Sequence, residues 1–309
     1  MFKDLKQQYR QSLKSMDTEE HIDLAFYRPI GFAWAYLFRK LHVTPNAVTV
    51  ASIFIGVASG IMFYFTEMWM NIVGMLLLVW ANSYDSADGQ LARMTGQYSR
   101  LGRILDGMSG DFWFASIYVA ICLRTVHTSS VFDGYAWGVW VLAVAAGLFH
   151  AKQAATADYY RQFYLYFLKG TGGSELDSTA ELRTRLEATP WKGNVIGKLM
   201  MTIYYRYTAG QEASSPAMQE LRRQLQRCYP DGNIPQDFRK EFCRLSFPLL
   251  KWENFMTFNW RTIFLFASLF AMMPWLYFVA ELTVFNAVMV YTVRRHESLC
   301  RKMLNHKGI

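Results

Sequence analysis

The chain has 309 residues, of which 52% are hydrophobic and 17% aromatic, and it carries a formal net charge of +8. This composition argues against nucleic-acid binding and indicates a membrane protein whose polar segments face the anionic cytoplasmic membrane surface. The four cysteines form no close pair in the sequence, which argues against a metal or disulfide framework and predicts reduced thiols.

The N-terminal segment, residues 1–43, is predicted to be cytoplasmic and interfacial. Residues 1–20 are polar and of mixed charge, so no signal peptide is expected before the first apolar run. Residues 22–42 combine apolar and aromatic side chains with Arg28, Arg39 and Lys40. This pattern predicts an interfacial helix whose apolar face dips into the headgroups while its cations stay in water.

Six later runs are apolar and close to the length that a bilayer requires. They cover residues 44–66, 70–92, 104–123, 135–157, 259–274 and 276–293. The last two are short and are separated only by Met272, Met273 and Pro274, which is compatible with a tight helical hairpin. We therefore expect an all-α integral membrane protein with six transmembrane helices.

The placement of lysine and arginine predicts the orientation of these spans. Basic residues are frequent before the first span, in the 93–103 connection, in the long segment after the fourth span and in the C-terminal tail. The opposite side carries only Arg124. We therefore expect both termini in the cytoplasm.

The long segment after the fourth span, residues 161–258, is predicted to be a cytoplasmic helical insertion. Ser178 and Glu181 have the spacing of a capping box, and Met218 to Tyr229 is a basic amphipathic stretch. We expect a helical cap on the membrane near the active site; solvated helices without that role are the alternative. The expected regions are thus 1–43, a transmembrane core at 44–160, the insertion at 161–258, spans five and six at 259–294, and a cytoplasmic tail at 295–309.

Three carboxylates are concentrated at the predicted cytoplasmic ends of spans two and three. Asp85 and Asp88 share one helix face, and Gly102 and Asp106 are similarly paired four residues apart. Acidic groups beside a bilayer are costly to bury and usually mark a functional site. Three carboxylates beside small residues suit a hard divalent cation that holds a phosphate group.

The same residues resemble the signature of the CDP-alcohol phosphotransferases, D-x2-D-G-x2-A-R-x8-G-x3-D-x3-D. Seven positions match in residue and spacing: Asp85, Asp88, Gly89, Ala92, Arg93, Gly102 and Asp106. Residues 44–49, Thr-Pro-Asn-Ala-Val-Thr, also resemble the opening of this family's first membrane helix. The resemblance covers roughly residues 20 to 160 and does not extend convincingly through 165–258.

The fourth aspartate of the signature is missing, because residue 110 is glycine and the nearest carboxylate is Asp111. In a regular helix Asp111 would lie about 140° round from Asp106. In the family, the fourth aspartate is the usual candidate for the base. Three interpretations stay open: a π-bulge near Ser109 and Gly110 turns Asp111 inward, another group serves as base, or the chain is a pseudo-enzyme.

The resemblance implies a membrane phosphotransferase that releases CMP. It implies that Asp85, Asp88 and Asp106 bind one or two Mg²⁺ or Mn²⁺ ions, with Asp111 as candidate base. It also implies a donor site with these members: Asn46, Thr49, Gly89, Ala92, Arg93 and Gly102. A homodimer in a membrane, with a bacterial inner membrane as the expected location, is a further implication.

Two substrate pairs fit this interpretation. In the first, CDP-diacylglycerol gives a phosphatidyl group to a polar alcohol such as inositol, inositol phosphate or glycerol phosphate. In the second, the acceptor is a lipid such as ceramide and the donor is a phospholipid such as phosphatidylinositol. The resemblance at residues 44–49 favours the first substrate pair. A transporter that coordinates ions or protons is the remaining hypothesis, but it gives no reason for the spacing of the motif.

Overall fold

The computed structural model describes residues 2–13, 18–170, 176, 178–191 and 193–306. The predicted N-terminal segment, insertion and tail each include some residues outside these ranges. The described residues are mainly helical and contain no strand, in agreement with the predicted all-α class. The chain divides into two compact units, residues 1–146 with 262–280 and residues 147–261 with 281–309.

All six predicted spans coincide with helices. In chain order the α-helices are α1 (Phe2–Ser12), α2 (Arg28–Lys40), α3 (Pro45–Met62), α4 (Met68–Thr95), α5 (Arg100–Thr128), α6 (Trp137–Lys169), α7 (Thr179–Ala188), α8 (Val195–Ala213), α9 (Pro216–Cys228), α10 (Gln236–Ser246), α11 (Leu250–Phe255), α12 (Phe258–Phe270), α13 (Leu276–Ala280) and α14 (Asn286–His306). A π-helical segment, Glu281–Phe285, joins α13 to α14.

Among the described residues, two helical stretches are long and apolar enough to cross a membrane by length and composition, Pro45–Met62 and Leu276–Asn305. Helix α12 has only 13 residues, about 20 Å at 1.5 Å per residue, which is short for a span. The count of six spans therefore stays a prediction.

In the first unit, α3 packs between α4 and α5 through small residues. A Cβ atom added at Gly56 would lie 2.1 Å from the Trp113 ring, and one at Gly60 would lie 2.8 Å from the backbone nitrogen of Ile117. Small residues spaced four apart allow membrane helices to approach closely. Large apolar side chains point outward instead, including Phe54 and Leu76 at 71% and 65% exposure.

Helix α2 confirms the helix predicted within residues 22–42, and it packs across α4. Ala35 is fully buried in a cluster with Val48, Ala87 and Leu91. Near the start of α2, a Cβ at Gly31 would lie 2.8 Å from the Ser86 hydroxyl oxygen. The N-terminal helices are therefore held directly against the part of α4 that carries the aspartates.

The second unit gives the predicted insertion its own hydrophobic core. Side chains from α6, α9, α10 and α14 meet in this cluster, including Tyr160, Met218, Phe242 and Cys300. The side chain of Glu297 on α14 accepts hydrogen bonds from the first backbone N–H groups of α9, where the helix dipole favours a carboxylate.

Two sequence predictions within the insertion are confirmed. The Ser178 hydroxyl accepts a hydrogen bond from the Glu181 backbone N–H at the start of α7, and the basic amphipathic stretch at Met218 lies in α9. Arg239 donates to the carbonyl oxygens of Phe167 and Leu168 at the end of α6. The insertion is thus anchored to α6 as well as to α14.

Candidate metal and phosphotransfer site

The carboxylates of Asp85, Asp88 and Asp106 meet in the first unit, as the sequence predicted. One oxygen from each lies within 4.8 Å of the other two. Asp85 and Asp88 come from successive turns of α4, and Asp106 comes from the first third of α5. Asp88 is 3% exposed, Asp85 is half-buried and Asp106 is exposed.

Two hydroxyl groups orient the less exposed aspartates. The Ser109 hydroxyl donates to Asp85 Oδ1 at 2.6 Å, and the Thr49 hydroxyl donates to Asp88 Oδ2 at 2.5 Å. A carboxylate offers about four lone-pair positions, so each of these groups keeps acceptor capacity after one such bond. Hydroxyls that orient a ligand in this way commonly tune a metal site.

The arrangement fits a divalent cation. All three donors are carboxylate oxygens, which Mg²⁺ and similar hard ions prefer. The three oxygens lie within 4.8 Å of one another, and the exposed Asp106 side chain could move to bring them together on one or two cations. Without a cation, three carboxylates at this separation repel one another, and a bound cation offsets that repulsion.

Asn46 and Gly102 meet where α3 and α5 begin. The Ser99 hydroxyl accepts from the Gly102 backbone N–H at 2.8 Å and donates to Asn46 Oδ1 at 3.0 Å. A Cβ at Gly102 would lie 2.2 Å from that same Asn46 oxygen. Glycine at this position therefore permits the close approach of Asn46, which links two residues that the sequence assigned separately to the donor site.

Gly89, Ala92 and Arg93 lie on the last turns of α4. The atoms nearest to a Cβ added at Gly89 would be those of the Arg93 guanidinium, at 3.5 Å, and Ala92 is half-buried. Arg93 donates through Nε to the Ser12 carbonyl oxygen. Arg93 thus ties the end of α1 to the motif, and its expected place in the donor site stays a prediction.

Thr49 differs from its expected place. It is buried, and its hydroxyl contacts Asp88 and the Pro45 carbonyl oxygen. An enclosed hydroxyl that bonds an aspartate orients that aspartate, whereas a nucleotide contact would need an accessible group. The geometry therefore favours an indirect role for Thr49.

Asp111 is not among the carboxylates that meet in the cluster. Helix α5 is α-helical without interruption through residues 109–111, so the π-bulge that would turn Asp111 inward is absent. At 100° per residue, Asp111 points about 160° away from Ser109, which contacts Asp85. At Gly110, a Cβ would meet nothing within 4 Å.

Sequence reasoning missed two residues of the site, Ser109 and Arg28. Ser109 lies three residues after Asp106, on the same helix face, and this spacing was a usable signal. Arg28 donates through Nη1 to the Ser86 hydroxyl at 3.2 Å, pairs with Glu19 at 2.5 Å and interacts electrostatically with Asp85. Its place depends on how α2 packs on α4, and no local pattern shows that.

Comparison with known protein families agrees with the motif. The family model described as CDP-alcohol phosphatidyltransferase matches residues 42–163, a range that includes Asp85, Asp88 and Asp106. No curated protein and no solved structure matches the chain. Members of this family are membrane-integral, generally depend on a divalent metal, and transfer a phosphate-containing group from a CDP-alcohol to an alcohol acceptor. The match over residues 42–163 supports membership of the chain in the CDP-alcohol phosphatidyltransferase family of phosphotransferases.

Proposed function

We propose that the chain transfers a phosphatidyl group from CDP-diacylglycerol to the hydroxyl of a polar alcohol, such as inositol, inositol phosphate or glycerol phosphate, and releases CMP. The observation that carries this proposal is the meeting of three motif carboxylates within 4.8 Å. The retained Pro45 and Asn46 support a CDP-linked donor, and Asn46 lies against the start of α5.

Asp85, Asp88 and Asp106 would hold one or two Mg²⁺ or Mn²⁺ ions. When bound, the cation would neutralise the diphosphate and the charge that develops on the leaving group. Thr49 and Ser109 keep Asp88 and Asp85 in position for this task. The small residues Gly89 and Ala92 leave room for the nucleotide beside α4, and Gly102 lets Asn46 border the same surface.

In the reaction, the acceptor oxygen forms a bond to the lipid-bearing phosphorus while the bond from that phosphorus to the CMP oxygen breaks. The acceptor hydroxyl loses a proton to a base. Two carboxylates are candidates for this base. Asp111 is nearest in sequence to the missing position, but an unbroken helix turns it away from the site. Asp106 is exposed and lies only about 40° from position 110 around the helix, and it could accept the proton through the carboxylate oxygen that does not hold the cation. We therefore favour Asp106 over Asp111.

A second candidate is the transfer of a phosphorylated headgroup, for example phosphoinositol, to a lipid acceptor such as ceramide. The observation that favours it is Gly110, which replaces the fourth carboxylate and leaves open space there. A changed acceptor would account for the loss of a motif carboxylate. We expect two copies of the chain to assemble in the membrane in either case, by analogy with the family.

Product analysis distinguishes the candidates. Purified protein with Mg²⁺ is offered CDP-diacylglycerol, phosphatidylinositol and ceramide together with a panel of alcohols, and the products are identified by mass spectrometry. Release of CMP together with a new phospholipid supports the first candidate. A phosphosphingolipid with no CMP supports the second, and no product from any pair would contradict both.

A further inference from the structure

A cavity of about 490 Å³ lies within the second unit, between α6 and α8 with one residue from α14. This volume falls in the range of small-molecule binding sites. The lining residues Ala151 and Ala155 on α6 and Gly210 on α8 are small and leave the space open. Gln211 holds the two walls together, because its side chain donates to the Ala155 carbonyl oxygen at 2.7 Å.

The cavity has a cation on each of its two main walls. Lys152 comes from α6 and Arg206 from α8, and both side chains are exposed. Among the described residues, neither forms an ion pair with a carboxylate. Two cations that face one cavity without a partner create a positive field that attracts an anion. A phosphate group can accept hydrogen bonds from both.

The remaining wall is largely apolar and includes an unsatisfied hydroxyl. Tyr160 lines the cavity and is 1% exposed, and its hydroxyl has no hydrogen-bond partner among the described residues. An unpaired buried polar group is unfavourable, and a ligand that bonds to this hydroxyl would remove that cost. The neighbouring Tyr159 hydroxyl accepts hydrogen bonds from the side chains of Ser215 and Gln219, and as a neutral phenol it does not repel an anion.

We propose that this cavity binds a phosphate ester, with the phosphate between Lys152 and Arg206 and the rest of the molecule against the alanines and Tyr160. The ester can come from a phospholipid headgroup or from a water-soluble phosphorylated alcohol. Lys152 lies within the family-matched residues 42–163, whereas Arg206 and the rest of α8 lie outside them, so this site would need the insertion as well as α6. It goes beyond the proposed transfer reaction, and binding does not require that reaction.

The test measures binding without a CDP-linked donor and in the presence of a chelator. Full-length protein in phosphatidylcholine nanodiscs is titrated with glycerol 3-phosphate by calorimetry. In a second arm, retention of phosphatidic acid over phosphatidylcholine is measured by native mass spectrometry. Glycerol and diacylglycerol are the matched probes without phosphate. The protein variants are the double variant Lys152→Gln with Arg206→Gln, the cavity-filling Gly210→Leu, and Arg183→Gln as the control for loss of an exposed cation.

We expect one of the phosphate probes to bind, and both cavity variants to weaken its binding at least about tenfold, because the double variant removes the charge-assisted hydrogen bonds and Gly210→Leu fills the cavity. The Arg183→Gln control should bind like the unchanged protein. The probe that binds identifies the source of the ester. Absence of binding by both probes, or unchanged binding in folded Gly210→Leu protein, would overturn the proposal. If Asp88→Asn protein loses transfer activity but still binds the probe, binding in the cavity is independent of the transfer reaction and the proposal stands.

Discussion

The Thr49 hydroxyl reaches Asp88 from a different helix, and the Ser109 hydroxyl reaches Asp85 in the same way. Each bond fixes the direction of a carboxylate before a cation arrives. Preorganisation of this kind is expected to act on metal affinity more than on folding, because only one hydrogen bond is lost when the hydroxyl is removed.

Replacing Thr49 tests this role. We expect Thr49→Val to raise the Mg²⁺ concentration required for half-maximal activity roughly 10- to 100-fold, as for other residues that orient metal ligands. Thr49→Ser keeps the hydroxyl and should stay close to the unchanged protein. The measurement is the initial rate of CMP release across a Mg²⁺ titration. An equal loss in both variants would indicate a packing effect instead.

Position 110 allows a separate test of the base. Since Asp111 points away from the cluster, Asp111→Asn should leave turnover nearly unchanged. A Cβ at Gly110 meets nothing within 4 Å, so Gly110→Asp should fold and restore the family's fourth carboxylate. We expect faster CMP release from Gly110→Asp protein with a small polar alcohol. A strong loss of rate in Asp111→Asn would return the role of base to Asp111.

At the scale of helices, the site depends on the packing of α2, α3 and α5 around the aspartate-bearing part of α4. It also depends on the contact between α3 and the start of α5. Helix α3 supplies Thr49 and Asn46, α5 supplies Asp106 and Ser109, and α2 places Arg28 beside Ser86. The junction of α3 and α5 is the tightest of these contacts, since Asn46 occupies the space that a side chain at Gly102 would need.

Two glycines on α5 provide a matched pair of substitutions. Gly102→Ala should destabilise the protein by about 1–3 kcal/mol through overpacking and raise the KM for the donor, because Asn46 must move. Gly107→Ala adds the same methyl group where nothing lies within 4 Å, so it should be neutral or slightly stabilising. Thermal unfolding in detergent and donor titrations measure both effects. Similar behaviour of the two variants would argue against the Asn46 contact.

The sequence predicted those parts of the site that are set by spacing along one helix. Asp85 and Asp88 share a face because they are three residues apart, and their meeting with Asp106 followed from the family motif. The role of Thr49 was not predictable, since its contact with Asp88 arises from the packing of α3 on α4. Arg28 lies outside the motif, and its position depends on the same kind of tertiary contact.

At the scale of the whole molecule, the helices agree with the predicted apolar runs, and the count of six spans stays a prediction. The insertion was the least predictable region, because its core joins residues as distant in sequence as Tyr160, Met218, Phe242 and Cys300. Local patterns gave its helix starts, as at Ser178, but gave no indication of the α6 and α8 cavity.

Reporter fusions test the predicted six-span topology. Fusions at both termini and after residue 190 should report a cytoplasmic location, because the surrounding segments are rich in lysine and arginine. A fusion within the 129–136 connection should report the opposite side. A cytoplasmic signal from that connection would reduce the number of spans and contradict the predicted orientation.

Cation-dependent release of CMP is the most direct test of the central claim that Asp85, Asp88 and Asp106 together hold the metal for phosphatidyl transfer. The measurement is CMP formation from labelled CDP-diacylglycerol by unchanged, Asp88→Asn and Asp133→Asn protein, with Mg²⁺ and with a chelator. Asp133 is an exposed carboxylate outside the cluster and serves as the control. We predict turnover that disappears with chelator and falls at least about 100-fold in folded Asp88→Asn protein, with Asp133→Asn unaffected. Full-rate CMP release in the chelated protein or in Asp88→Asn would contradict the account.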